Sequence, residues 1–429
     1  MFNFSYAVKV LKAELAEFLN LLCDGLKRPE AKLVFDLTYG VLKSKSCAIS
    51  DICRALDEDS DLNTAECRIA SAISSKHPSK KLTDALEEFS VGMSEGFVAI
   101  DESDIQKPYG RAFEALDEVQ DGSREGRPIG RGGYHLIGIA SIGQRKCVFP
   151  IAFRAYSTKS EGFESQQRET EKILPKAEGR GISMDRGYDG KTWIALPKGC
   201  GMWFAARARS NRKYSVPSMK NRRMDIAGIQ SAVKGRFSFR FAEHDKRDPV
   251  DVKATAVRVS HKDLPDGMWL VMEFFPDERE ARCYLTDRDC SSKGGCREVL
   301  KCYRLRWRIE EFFHFAKSFY GIEGIMARSL CAVNWLLLAV SIATAFLSYM
   351  CSRRSPAYWQ CRSAFKSFQP NLTDEEIIKR EGHIPVELFR IGNGASKILE
   401  HCAKKPTPKG RDRTRHGYIQ LRLDDDIFK

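Results

Sequence analysis

The stretch KCYRLRWRIEEFFHFAKSFYGIE, residues 301–323, contains the most informative pattern in the chain. Its polar residues Tyr303, Arg306, Glu310 and Lys317 are separated by three, four and seven positions. Side chains at these intervals project from one face of an α-helix, which has about 3.6 residues per turn. The spacing therefore predicts a single helix with a polar stripe. An exposed amphipathic helix with an Arg306–Glu310 ion pair, contributing roughly 0.3–0.5 kcal/mol, would show the same pattern.

Upstream of this helix the apolar residues change from helical to strand-like spacing. Five segments rich in Ile, Val, Phe and Ala are predicted to be strands: 96–103, 134–142, 146–157, 181–187 and 202–209. Polar helices are predicted before the fourth strand and before the fifth. The order strand, strand, strand, helix, strand, helix, strand is typical of a mixed sheet with helices on both faces, so the fold class is α/β.

Two aspartates follow apolar strand segments. Asp101 comes after the first, in VAIDES, and Asp185 after the fourth, in GISMDRG. In a ribonuclease-H-like mixed sheet the first and fourth strands are neighbours, so both carboxylates would lie at one edge, with Glu310 brought over them by the later helix. Three carboxylates repel one another unless cations neutralise them. The arrangement therefore predicts a site for two Mg²⁺ ions, which Mn²⁺ could replace, and phosphoryl transfer chemistry.

The motif Y-x2-R-x3-E-x6-K at residues 303–317 resembles the signature of the DDE transposases of the insertion-sequence four group, which includes the Tn-five-like enzymes. The words VAIDES and DRG, the latter at residues 185–187, are similar to the sequences around the two aspartates of that family. The resemblance covers about residues 95–350. It implies a transposase that cuts DNA at transposon ends and joins those ends to target DNA.

The resemblance also implies roles for individual residues. Three carboxylates would be the catalytic and metal-binding triad: Asp101, Asp185 and Glu310. Three further side chains would contact phosphates of the transposon end: Tyr303, Arg306 and Lys317. The implied partner is double-stranded DNA, bound by a homodimer, without any membrane.

One position departs from the Tn-five-like pattern. Those enzymes have a tryptophan, on which a flipped base stacks, four residues before the threonine of an L-T strand end. Here that threonine is Thr286, and Arg282 occupies the position of the tryptophan. Either Tyr284 or Trp269 replaces the tryptophan, or the DNA-hairpin step differs.

Four further acidic residues lie close to the triad in sequence. Glu102 follows Asp101 directly, and Glu311 follows Glu310. Helical geometry turns Glu311 about 100° away from Glu310, so Glu310 is the preferred ligand. Asp104 and Asp189 come after the predicted strand ends and are predicted to be solvated loop residues.

The chain is basic, with 70 Lys and Arg against 57 Asp and Glu and a net charge of +13, which favours a polyanionic partner such as nucleic acid. The segment 207–223 has no acidic residue and seven basic ones, which are predicted to form a DNA-facing surface: Arg207, Arg209, Arg212, Lys213, Lys220, Arg222 and Arg223. The first two alternate on a predicted strand and would share one face. A solvated basic loop without function is the alternative.

Five segments are predicted along the chain. Residues 1–92 form a helical domain that could bind DNA ends, and residues 93–209 and 287–355 form the two parts of the core. A β-rich insertion at 210–286 separates them, and a helical and basic tail at 356–429 could serve oligomerisation or DNA contact. Two short helices joined by the turn DEDSD in the first domain resemble a helix-turn-helix, although any small bundle would look similar.

Residues 330–350 carry no charge, and their length would suit a membrane span. The segment also contains Asn334 and three hydroxyl residues, so a buried core helix with a hydrogen-bonded Asn334 is predicted. Fourteen scattered cysteines without C-x-x-C spacing indicate reduced thiols in a cytoplasmic protein, associated with the nucleoid if the host is a bacterium. Three other functions stay open: a ribonuclease-H-like nuclease that only hydrolyses, a domesticated DNA-binding protein without catalysis, and a membrane protein.

Overall fold

A computed structural model describes residues 2–107, 110, 112–119, 131–241 and 249–402. Residues 403–429, which include the basic part of the predicted tail, lie outside the described residues. The described helices are α1 Phe4–Leu22, α2 Arg28–Ser44, α3 Ile49–Leu56, α4 Leu62–Ser75, α5 Lys80–Gly92, α6 Gln166–Glu171, α7 Lys191–Gly199, α8 Ile226–Ala232, α9 Lys293–Arg304, α10 Trp307–Ser318, α11 Leu330–Arg353, α12 Pro356–Phe368, α13 Asp374–Glu381 and α14 Val386–Glu400. The described strands are β1 Phe97–Gln106, β2 Asp117–Val119, β3 Arg131–Ile142, β4 Val148–Tyr156, β5 Gly181–Met184, β6 Trp203–Arg207, β7 Tyr214–Val216, β8 Arg222–Met224, β9 Phe237–Phe241, β10 Val250–Val259, β11 Met268–Phe274 and β12 Arg282–Thr286.

The central sheet has the strand order predicted for a ribonuclease-H-like fold. Strands β4, β3, β1, β5 and β6 lie side by side in that order. Strand β2 pairs with the first residues of β3, on the same edge of β3 as β4. Strands β3 and β4 run antiparallel to their neighbours, whereas β5 and β6 run parallel to β1. The first four residues of β1 are fully buried, because this strand lies in the middle of the sheet.

The later strands extend the same sheet. Strand β12 pairs with β6, and β11, β10 and β9 follow in that order. All four belong to the segment 210–286 or reach its end, so this β-rich segment continues the sheet of the core. Strands β7 and β8 pair with each other in a separate two-stranded sheet.

Helix α11 is the longest described helix, and it covers one face of the sheet against β4. Its length and apolar composition would suit a membrane span, but most of its residues are buried inside the protein. The Asn334 side chain donates to the backbone oxygen of Ala155 at 3.1 Å and accepts from its N–H at 2.8 Å. The prediction of a buried helix with a hydrogen-bonded Asn334 is confirmed.

The helices of both chain ends pack on α11. Helix α2 and helix α14 contact it and each other, and α1 lies against α12. Their apolar faces form one continuous core with β3, β4 and α10. Among the described residues the candidate helix-turn-helix is α3 and α4, with α4 carrying a single basic residue, Arg68.

Candidate active site

The three predicted carboxylates come from three elements that meet beside the middle of the sheet. The parallel pairing of β1 and β5 aligns Ala99 with Ser183, so the same register carried two residues further aligns Asp101 with Asp185. Asp185 directly follows β5, as predicted. Asp101 does not end its strand, because β1 continues to Gln106 in its pairing with β3. It lies instead just beyond the end of the pairing with β5.

Glu310 lies in the first turn of α10, and one guanidinium joins it to Asp101. Arg306 donates to Asp101 Oδ2 at 2.9 Å and contacts Glu310 Oε1 at 2.5 Å. The side chains of Arg306, Asp101 and Glu310 are 14%, 18% and 31% exposed. All three side chains are therefore partly desolvated, and the Asp101 and Glu310 carboxylates both contact the Arg306 guanidinium.

The charges in this cluster do not balance. The pKa of Asp101 is raised to about 6, mainly by burial and also by the negative charges of Glu310 and Asp185, against the opposing effect of Arg306. Although burial disfavours its charge, Arg306 has a pKa above its usual value, because Asp101 and Glu310 surround it. One cation thus faces three carboxylates, and an additional positive charge would be stabilised here.

The predicted single helix is two helices. Helix α9 ends at Arg304 and α10 begins at Trp307, and the joint is closed by shorter i to i+3 bonds, such as the one from Arg306 N–H to Tyr303 O at 3.0 Å. The backbone at Leu305 keeps helical angles, so the polar residues keep their phase across the joint. The prediction of one continuous helix is wrong, but Tyr303, Arg306 and Glu310 still lie together.

Lys317 lies further along α10, away from the Arg306 bridge. Its Nζ is 3.6 Å from Asp104 Oδ1 and 3.6 Å from Glu323 Oε1. Asp104 belongs to β1 and is largely covered, so the prediction of a solvated loop residue is wrong for it. Glu311 points away from the site, as its helical phase requires, and pairs with Arg308 at 2.6 Å while almost fully buried.

Asp189 was the second acid predicted to be solvated, and that prediction is also wrong. Its side chain is fully buried, accepts from the Arg209 N–H at 2.8 Å and pairs with Arg212. The partner stands 23 positions downstream, so local sequence does not reveal the pair. Arg212 is consequently held inside the protein by Asp189.

Two details of the predicted basic surface are wrong, namely the alternation of Arg207 and Arg209 on one strand and the free exposure of Arg212. Strand β6 ends at Arg207, so Arg209 does not continue it and the two do not alternate on one strand. Lys220, Arg222 and Arg223 belong to or adjoin the β7–β8 pair, apart from the central sheet. Arg207 is the member of the predicted set that lines the cleft beside the triad.

That cleft has a volume of about 810 Å³ and a strongly basic lining that sequence reasoning missed apart from Arg207 and Arg306. Its remaining basic residues come from the β3–β4 turn, from β9 and β12, and from α9 and α10: Lys146, Arg240, Arg282, Arg297, Lys301, Arg304 and Arg308. Three of them, on α9, have the four- and three-residue spacing of one helix face, which is a readable signal. The others are distant in sequence, so only the fold brings them together.

The position of the missing tryptophan lies in the same cleft. Arg282 pairs with Glu278 and stacks over the Phe275 ring at 4.0 Å. Tyr284 is buried with its ring 4.5 Å from that of Tyr303, and both line the cleft. Of the two predicted substitutes, Tyr284 is therefore the one beside the candidate site.

The chemistry of the donor set fits divalent metal ions. Mg²⁺ and Mn²⁺ take carboxylate oxygens as ligands, and three carboxylates with one cation carry excess negative charge. Within the described ranges no group of three acidic, His or Cys side chains is already converged on a metal position. The Arg306 guanidinium stands between Asp101 and Glu310 and contacts both carboxylates.

A ribonuclease-H-like sheet with acidic side chains at the ends of its central strands is typical of enzymes that cut or join nucleic acids. The chain belongs to the family described as the transposase DDE domain, whose model matches residues 93–346. The match includes the whole triad and ends within α11. Comparison with curated proteins gives no match. The family assigns the chain a transposase-type function on DNA, and such enzymes work with divalent metal ions.

Proposed function

We propose that the protein is a DNA transposase of the insertion-sequence four group that cuts at transposon ends and joins them to target DNA. The observation that supports this most is the meeting of Asp101 and Glu310 on one guanidinium, with Asp185 aligned beside them. The Y-x2-R-x3-E-x6-K spacing adds support, because its first three residues lie together across the α9–α10 joint.

In this proposal Asp101, Asp185 and Glu310 hold two divalent ions, Mg²⁺ or Mn²⁺. Bound there, the ions would activate the attacking oxygen and stabilise the leaving oxygen of the phosphate. Arg306, which contacts Asp101 and Glu310, also lines the basic cleft together with Tyr303, so both side chains lie where they can contact phosphate. Lys317 would need to leave Asp104 and Glu323 to do so.

Double-stranded DNA is the proposed substrate, and a homodimer on the DNA is the proposed assembly. Four cations that line the cleft have no carboxylate partner within ion-pair distance among the described residues: Lys146, Arg207, Arg297 and Lys301. Desolvation and the neighbouring Arg308 lower the pKa of Lys146 against the opposing charge of Glu311, so cations outweigh anions around it. Phosphates would supply the missing anions.

The test is a cleavage and joining assay on the DNA that flanks the gene. A fragment with the flanking inverted repeats, incubated with the protein and Mg²⁺, should be cut at the repeats and joined to a target plasmid. Cleavage without joining of a pre-cut end would instead identify a nuclease that only hydrolyses. Binding without cleavage by the intact protein would identify a DNA-binding protein that has lost catalysis.

A further inference from the structure

The proposed function and the structure place the Arg306 guanidinium in two different positions, which it cannot occupy at the same time. As a phosphate contact its guanidinium would lie on DNA, yet in the structure it lies between Asp101 and Glu310, at 2.9 Å and 2.5 Å. The same two carboxylates are proposed metal ligands. In the DNA-free protein, the cation that contacts the Asp101 and Glu310 carboxylates is therefore the Arg306 side chain.

We propose that Arg306 is a resident counter-ion, which occupies the metal position in the DNA-free protein and exchanges onto a DNA phosphate when DNA binds. DNA binding and metal loading then promote each other, because the phosphate draws away the cation that competes with the metal. This inference rests on the proposed function, since it takes the triad as the metal site and DNA as the ligand of the cleft.

The position of Arg306 in the chain suits such an exchange. It lies at the joint before α10, where its side chain makes no capping bond to the helix. It also lines the basic cleft, with its guanidinium 5.8 Å from the centre of the Tyr303 ring. A rotation of the side chain can therefore take the charge from the carboxylates toward the cleft without unfolding either helix.

The exchange is favourable only when something else neutralises the carboxylates. One monovalent guanidinium balances one of three negative charges, whereas a divalent ion balances two. Phosphate can in turn form bidentate bonds with the released guanidinium. By linkage, DNA should raise the metal affinity by the same factor by which metal raises the DNA affinity, and such couplings are typically about 5-fold to 150-fold.

The first experiment measures Mn²⁺ binding to the full chain without DNA, by calorimetry and by electron paramagnetic resonance. Arg306→Ala should bind Mn²⁺ more tightly than the unmodified protein, by a factor within the range of about 5-fold to 150-fold. Arg68→Ala is the matched control, because the Arg68 guanidinium also bridges two carboxylates, those of Asp36 and Glu58, in the N-terminal helices. Its Mn²⁺ affinity should equal that of the unmodified protein, and circular dichroism checks that each variant is folded.

The second experiment adds a random-sequence duplex at low salt. The duplex should raise the Mn²⁺ affinity of the unmodified protein and leave that of Arg306→Ala nearly unchanged. An equal rise in both proteins would overturn the exchange, because it would mean that phosphates bind the metal directly. Unchanged Mn²⁺ affinity in DNA-free Arg306→Ala would also overturn it.

The triad itself is tested separately by Asp101→Asn and Asp185→Asn. Suppose that both variants lose Mn²⁺ binding while Arg306→Ala binds Mn²⁺ as tightly as the unmodified protein. That result would support the proposed metal site and refute the role of Arg306 as a counter-ion. Mn²⁺ binding that survives both substitutions would refute the metal site itself. The two failures are therefore distinguishable.

Discussion

Arg68 and Arg306 each bridge a pair of carboxylates, and their surroundings differ in charge. In the N-terminal helices, Arg68 joins Asp36 to Glu58, and Lys32 contacts the same two acids at 2.6 Å and 3.3 Å. Two cations thus balance two anions. In the candidate active site, Arg306 joins Asp101 to Glu310, and Asp185 adds a third negative charge.

The carboxyl groups respond in opposite directions. Although burial opposes it, the bonds from Arg68 and Lys32 hold the pKa of Glu58 below its usual value. The pKa of Asp101 rises to about 6, because burial and the other carboxylates outweigh its arginine. A similar bridge therefore stabilises one cluster and leaves the other short of positive charge. This shortage, more than the presence of acids, distinguishes a candidate metal site from a structural ion pair.

The largest expected effect is that of Glu310→Gln on DNA cleavage. The substitution keeps the shape of the side chain and removes its charge, so end binding should stay nearly intact or tighten slightly. Cleavage should fall by orders of magnitude, because metal neutralisation of the transition state contributes several kcal/mol. A cleavage assay and a binding assay with the flanking repeats measure the two effects.

The matched substitution in the balanced cluster is Glu58→Gln. It should leave cleavage unchanged while lowering the free energy of unfolding, since Arg68 and Lys32 lose an ionised partner. Near-normal cleavage by Glu310→Gln, or a catalytic defect in Glu58→Gln, would contradict the assignment of catalysis to the Arg306 cluster and of stability to the Arg68 cluster. Glu311→Gln is a poor control, because Glu311 is buried and its loss would disturb Arg308.

The second effect is on stability. Asp36→Asn should lower the free energy of unfolding by about 1–3 kcal/mol, because the buried Asp36 side chain is the shared partner of two cations. Asp101→Asn should keep or raise it, since burial and carboxylate repulsion disfavour the charge that the substitution removes. Urea unfolding at neutral pH measures both, and a larger loss in Asp101→Asn would contradict the charge imbalance.

The sheet was predictable because its signal is local. Apolar runs of β-branched and aromatic residues mark β1, β3, β4, β5 and β6, and the strand order follows from known ribonuclease-H-like topology. The buried state of α11 was predictable from Asn334 and the three hydroxyl residues, since polar groups in an apolar helix need partners.

Other features depend on contacts between distant residues. The break between α9 and α10 leaves the helical phase unchanged, so spacing cannot reveal it. Asp189 looks like a loop acid until the fold brings Arg212 to it. The basic cleft draws on widely separated segments, of which only α9 shows a readable helical spacing. The division of the chain into domains and the roles of the site residues stay predictions.

The third effect is a pH dependence of opposite sign in the two clusters. Asp101 has a folded-state pKa of about 6, above its unfolded value of about 3.8, so lowering the pH from 7 to 5 protonates the folded form first. That step should stabilise the fold by about 1 kcal/mol, and Asp101→Asn should abolish this gain. Glu58 has a lowered pKa, so its stabilisation is present above the unfolded pKa and is lost as the pH falls through the lower, folded value.

Unfolding curves for the unmodified protein, Asp101→Asn and Glu58→Gln, taken across this pH range, separate the two contributions. The difference in the free energy of unfolding between the unmodified protein and Asp101→Asn should change between pH 7 and pH 5. The corresponding difference for Glu58→Gln should close only at more acidic pH. Parallel changes in both differences would show that the two bridges are electrostatically alike.

The smallest effect concerns which region meets DNA. In α4, the second helix of the candidate helix-turn-helix, the single basic residue Arg68 is held by Asp36 and Glu58. In the cleft, Arg297 and Lys301 are exposed on α9 and, within the described part of the chain, lack a carboxylate partner.

Each phosphate contact releases counter-ions and contributes about 0.9 to the slope of log affinity against log salt. Replacing both with Ala should therefore reduce the slope by about 2, while Arg68→Ala leaves it unchanged. Titrating a fluorescent duplex at several salt concentrations measures the slopes, and a loss in Arg68→Ala alone would move the DNA contact to the N-terminal helices.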